Sequence, residues 1–313
     1  MKRFGRSPGR ISQELTSGTN NRPSARRRAP TIASEIDRYL RSGESDKHSF
    51  AWPGRDLLER TGPASNALRE ALVQEVLQRA PNPPVPAGLA SIDLPRFTRR
   101  KVTPMVRGLF PAAEQEVVLG VLARSVIFLT PASVAEVLRT NHWDSTAWML
   151  ANLYLVSAGA EPLSSDAPYI VGLSEAATCY VAMSYFDPGL PLEDFLVHEA
   201  AHLFHNCKRT AIGLPCSRQR EWLLQIDFRK RETFAYACEA YSRLLEMGDG
   251  RASREALLDE HADGSLPACD YVDPDEYLQI LRTAVAARNG FKQILAACAA
   301  RGPRRPAAAA RRR

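Results

Sequence analysis

The sequence has no long apolar run. Its longest apolar stretches, residues 117–129 (broken by Arg124) and 146–160, are too short to cross a bilayer. No apolar segment follows the positive charge near residue 1, so no secretory leader is legible. None of the six cysteines stands in a C-x-x-C pair, which argues against a cysteine-rich zinc knuckle. The aromatic-plus-basic signature of an RNA-binding sheet is missing, and no internal repeat is present. These absences predict a soluble, cytoplasmic chain with reduced thiols and no membrane span. The Arg- and Ser-rich, acid-poor N-terminus is also compatible with an organelle transit peptide.

Acidic charge is scarce at both ends. Residues 1–30 hold eight Lys/Arg against Glu14, and residues 301–313 hold six Arg and no acid. The net charge of +6 over 313 residues therefore leaves the 270 residues between the tails at −7. Both tails read as disordered, able at most to bind phosphate backbones non-specifically, so no specific nucleic-acid partner is expected.

Between the tails the pattern is mainly helical. Residues 31–95 are expected to form a helical segment, with a helix over 63–80 opened by Pro63 and a linker over 81–95 that carries five prolines. Residues 96–300 are expected to form a second, larger domain. In it 112–129, 131–140 and 142–157 read as helices. Residues 168–173 and 176–186 read as strands joined by a turn at Gly172–Glu175, and helices are predicted over 191–206, 230–247, 252–261, 275–287 and 289–300. The fold class is α+β, mainly helical, with a small sheet whose edge strand precedes the helix 191–206.

That helix carries the chemistry. Residues 198–202 read His-Glu-Ala-Ala-His. Two histidines four residues apart project from one helix face, so both imidazoles can reach a single Zn2+ at about 2.0–2.1 Å. Glu199 is rotated by about 100° from His198, beside the cation and not on it. A carboxylate there can take the proton of a zinc-activated water as it attacks a carbonyl.

The H-E-x-x-H helix with a strand before it resembles the zincin metallopeptidases. The resemblance covers residues 176–247. It implies one catalytic zinc, a peptide or protein substrate, and a strand, here 176–185, that runs along the cleft above the motif helix and binds substrate backbone. Catalytic zinc usually has a third protein ligand. Glu232 and Ala235 match the E-x-x-A of the gluzincin branch, where a Glu on a downstream helix completes the site. That branch commonly follows with Asp or Asn, and Tyr236 stands there instead. Glu239 is an alternative ligand on the same helix face as Glu232, or else supports a ligand by hydrogen bonding. Cys179 is a third candidate, by analogy with peptide deformylases, although the Gly-Cys context of those enzymes is missing. The metzincin branch fits poorly, because His205 and Lys208 replace its Gly and third His.

Asp194, one turn before His198, and His205, one turn after His202, are candidates to hold a ligand imidazole. His205, Tyr236, Tyr241 and Arg243 are candidates to donate to a developing oxyanion. His48, His142 and His261 have no ligand-like spacing. Two further readings stay open: a non-catalytic zinc-binding or interaction protein that retains the motif, and a zinc hydrolase of non-peptide amides.

Overall fold

The computed structural model describes residues 30–300, apart from 188, 218, 219 and 265. The predicted basic tails lie outside the described residues, save residue 30. The architecture is α+β and mainly helical, with one three-stranded sheet. Among the described residues no helix is long and apolar enough to cross a membrane.

Helices α1 (Ile32–Ser42) and α2 (Leu57–Arg79) open the fold. Pro63 does not start α2 but lies inside it. The true start is capped by Asp56, whose carboxylate accepts from Glu59 N–H at 3.0 Å. The first two turns are solvent-exposed, so the carbonyl deprived of a partner by Pro63 can turn to water. The proline-rich stretch holds only the short α3 (Ala87–Ala90), and Pro95 sits in the first turn of α4 (Leu94–Leu109), where its missing N–H costs nothing.

Helix α5 spans Ala112–Ser125, and the chain then becomes strand β1 (Val126–Leu129). The expected helix to residue 129 is thus too long. Val-Ile-Phe-Leu is β-branched and aromatic, and its pairing partner lies some fifty residues ahead, beyond the reach of local periodicity. After α6 (Val134–Thr140) and α7 (Asp144–Ser157) come β2 (Gly172–Glu175) and β3 (Thr178–Ala182). The sheet order is β1-β3-β2, parallel between β1 and β3 and antiparallel between β3 and β2.

Two expectations change here. The hairpin turn is not at Gly172–Glu175, which is strand, but at Ala176–Ala177, with Ala176 at φ 52°. The edge strand before the motif helix is β2. Strand β3, the heart of the 176–185 segment, is paired on both sides and has no free main-chain edge to offer a substrate.

The sheet is a wall between two hydrophobic clusters. Val126, Phe128, Cys179 and Val181 face one cluster, while Leu129, Ala182, Leu173 and Tyr180 face the other. Burial of both faces explains why the strands read as apolar on both sides. The second cluster draws on α1, α2, α6 and α7, and so on both sides of the proline-rich segment. The first holds α4, α5, the motif helix α8 (Phe195–Asn206), and α9 (Arg231–Met247), α10 (Arg251–Ala262), α11 (Pro274–Ala286) and α12 (Gly290–Cys298).

Helix α8 starts at Phe195, later than Pro191 suggested. Asp194 is its cap, and its carboxylate accepts from Val197 N–H at 3.2 Å. Glu193 caps the preceding turn through Leu190 N–H instead. After α8 the chain is pinned by Arg209, fully buried. Its guanidinium makes a two-pronged bond to Glu114 of α5 at 2.7 and 3.1 Å, and its Nε donates to Pro215 C=O at 2.7 Å.

Candidate metal centre

Three side chains meet between α8 and α9. His198 and His202 are one turn apart on α8, and their Nε2 atoms stand 3.1 Å apart. Glu232, in the first turn of α9, places Oε2 3.8 Å from His198 Nε2 and 3.6 Å from His202 Nε2. The circle through those three atoms has a radius of about 2.0 Å, the length of an ordinary metal–nitrogen or metal–oxygen bond. Among the described residues this is the group of His, Cys, Asp and Glu able to hold a metal ion. The donor set fits as well: two imidazoles and one carboxylate, the imidazoles largely buried and the carboxylate side chain 36% exposed, which leaves an approach from solvent.

The other predicted ligands take other places. Glu239 lies one turn farther along α9 than Tyr236 and reaches the back of His198, with Oε2 3.0 Å from Nδ1. It therefore holds the His198 ring with Nε2 turned toward the cluster. Cys179 is wholly buried on β3 and stays outside the cluster; burial and the Glu199 carboxylate raise its thiol well above the ordinary range.

His205 performs for His202 what Glu239 performs for His198. Its Nε2 is 3.2 Å from His202 Nδ1, and its ring is nearly perpendicular to that of His202. With His202 presenting Nε2 to a cation, its Nδ1–H donates to His205. Burial above all depresses His205 to about 3, so it stays neutral and can accept.

Tyr236 packs edge-on against His198, ring centroids 4.4 Å apart. Burial, then the carboxylates of Glu239, Glu232 and Glu199 among its neighbours, push its phenol above the ordinary range, so the hydroxyl remains a donor. Two expected residues are elsewhere. The Asp194 carboxylate touches no imidazole: it holds Val197 N–H, the Tyr185 hydroxyl at 3.1 Å and Lys101 Nζ at 2.7 Å. Capping turns this side chain back on its own helix. Arg243 shares a face with Glu232 but lies about 16 Å further along the helix, where it holds Pro191 C=O at 3.1 Å and pairs with Glu246. Tyr241 packs on Phe291, also away from the cluster.

Glu199 lies beside the cluster, 7% exposed, against the edge strand β2. Burial raises its carboxyl above the ordinary range, against the pull of His198 and His202. Gly172 makes room for it: a Cβ there would stand 2.6 Å from Glu199 Cγ and 2.8 Å from Oε1. Val171 C=O accepts from Ala182 N–H at 3.0 Å. By the alternation of an antiparallel ladder, Leu173 and Glu175 then bond β3, while the main-chain groups of Gly172 and Ser174 face the open edge beside Glu199. Glu175 anchors that strand, accepting from Thr146 Oγ1 at 3.0 Å and Asn141 Nδ2 at 3.3 Å.

Sequence reasoning missed Gly172, Ser174, Tyr185 and Lys101. A glycine inside a strand is a recognised sign of close backbone approach, and Gly172 carried it. Nothing local marked Lys101. The chain matches no known family model, no curated protein and no solved structure.

Proposed function

We propose that this chain is a zinc metallopeptidase, with His198, His202 and Glu232 as the zinc ligands and Glu199 as the general base. One observation carries the reading. The three donor atoms are equidistant from a point about 2.0 Å away, and a buried carboxylate stands beside them on the helix that carries both histidines. When bound, zinc supplies Lewis acidity, polarising a carbonyl and making a water acidic near neutral pH.

The remaining work falls to the chain's own residues. Glu199 takes the proton of the attacking water on its carboxylate and returns it to the departing amine nitrogen. Its burial favours this, because desolvation strengthens the carboxylate's hold on a proton. Tyr236, protonated and packed on His198, donates its hydroxyl to the carbonyl oxygen as negative charge develops there. The free main-chain groups of Gly172 and Ser174 pair with an extended substrate and set its carbonyl in front of Glu199. That favours a peptide over a small amide, since only an extended backbone can use the strand edge.

The test compares wild type with Glu199→Gln on a peptide library, metal content measured on both. The reading expects equal zinc and a loss of about 100-fold or more in turnover. Wild-type cleavage by a Glu199→Gln protein, or zinc-loaded wild type that cleaves small amides and no peptide, contradicts it.

A further inference from the structure

Asp194 is 2% exposed, and its carboxylate would be costly to bury without an opposite charge. Lys101, from α4, supplies that charge: its side chain is only 12% exposed, and its ammonium is 2.7 Å from Asp194 Oδ2. Oδ1 accepts from Tyr185 and from Val197 N–H, so three groups from three parts of the chain fix this residue. The main-chain N–H of Asp194 then points at Glu239, donating to Oε1 at 2.6 Å. Glu239 is itself 3% exposed, and its other oxygen is the one that holds His198 Nδ1. A continuous line of contacts thus runs from Lys101 through Asp194 and Glu239 to the first imidazole of the cluster.

Glu246, at 2.9 Å, is the lysine's second partner, and its side chain is 36% exposed. A surface pair of that kind contributes little and does not need a lysine drawn into the interior. The buried acid does.

We propose that Lys101 is a positioning residue of the metal centre, acting through Asp194 and Glu239; the inference rests on the metal reading of His198, His202 and Glu232. Loss of the ammonium leaves Asp194 buried and uncompensated. Its carboxylate turns away toward solvent, the N–H at residue 194 swings with it, and Glu239 loses one of its two donors. His198 is then held less firmly, and the metal more weakly.

The experiment uses the full chain. Zinc affinity is measured by chelator competition for wild type, Lys101→Met, Lys101→Arg and Glu246→Gln, and the visible spectrum of each cobalt-loaded protein is recorded. Lys101→Met is expected to bind zinc about tenfold more weakly and to shift the cobalt bands, the size of effect usual for groups that orient a metal ligand. Lys101→Arg, which keeps the charge, recovers part of the affinity, and Glu246→Gln stays within about twofold of wild type. If Lys101→Met fails to fold, Lys101→Gln carries the test. It removes the charge that compensates Asp194 but keeps a donor of similar reach, and it is expected to weaken zinc binding in the same direction. Wild-type affinity and an unchanged cobalt spectrum in the folded variant overturn this proposal alone. A wild-type protein that takes up no zinc overturns the metal centre itself, and the two failures are read from different samples.

Discussion

His198 Nδ1 and Glu239 Oε2 stand 3.0 Å apart, on two helices joined by some twenty-five residues of intervening chain. The contact fixes which nitrogen of His198 is free to face the cluster. Truncating Glu239 to Ala leaves that ring free to turn and to carry its proton on either nitrogen. Zinc is expected to bind about 10–100-fold more weakly, as is usual when a carboxylate behind a ligand histidine is lost. Isothermal titration on wild type and variant measures it, and equal affinities would contradict the assignment.

His205→Ala is expected to act in the same direction through His202. His205 is 3% exposed, its Nδ1 has no partner, and its Nε2 meets His202. The variant should keep its far-UV circular dichroism and lose about tenfold in zinc affinity. A folded variant with wild-type zinc affinity would assign His205 to the core.

Much of this was legible in residues close together in the chain. The spacing of His198 and His202 needs nothing but a helix, and the seven residues from Glu232 to Glu239 put both acids on one face of the next. Where the local rule failed, a long-range contact decided. Val126–Leu129 became a strand because β3 pairs with it, and Asp194 turned to capping because Lys101 and Tyr185 receive its carboxylate. The free edge of the sheet could not be assigned from periodicity, since the pattern of 176–186 is the same whether a strand is paired on one side or on two.

Gly172 offers a test of the general base that leaves every ligand intact. A methyl group at that position must displace Glu199, whose Cγ it would approach to 2.6 Å. Misplacement of a catalytic group by about 1 Å costs on the order of 100-fold in rate. Gly172→Ala is therefore expected to bind zinc normally and to lose about that much turnover. Unchanged kinetics would show that Glu199 is free to move without consequence.

The Glu114–Arg209 pair anchors the chain that leaves the motif helix. Hydrogen bonds from Arg209 hold the Glu114 carboxyl below its ordinary value of 4.5. A carboxylate so depressed stabilises the fold fully above pH 4.5 and loses that contribution as the pH falls through its folded value. Glu114→Gln leaves Arg209 buried without its main counter-charge, at a cost of about 3 kcal/mol near pH 7. Urea unfolding at a series of pH values should show the gap between wild type and variant narrowing below pH 4.5. A gap independent of pH would mean that the pair contributes nothing electrostatic.

The most direct test of the central claim is a zinc titration of the metal-free protein, with X-ray absorption on the product. The account predicts one zinc per chain, with nitrogen and oxygen ligands at about 2.0–2.1 Å, and loss of that binding when His198 and His202 are both replaced by Ala. No uptake by the wild type, or the same uptake without the two histidines, would contradict it.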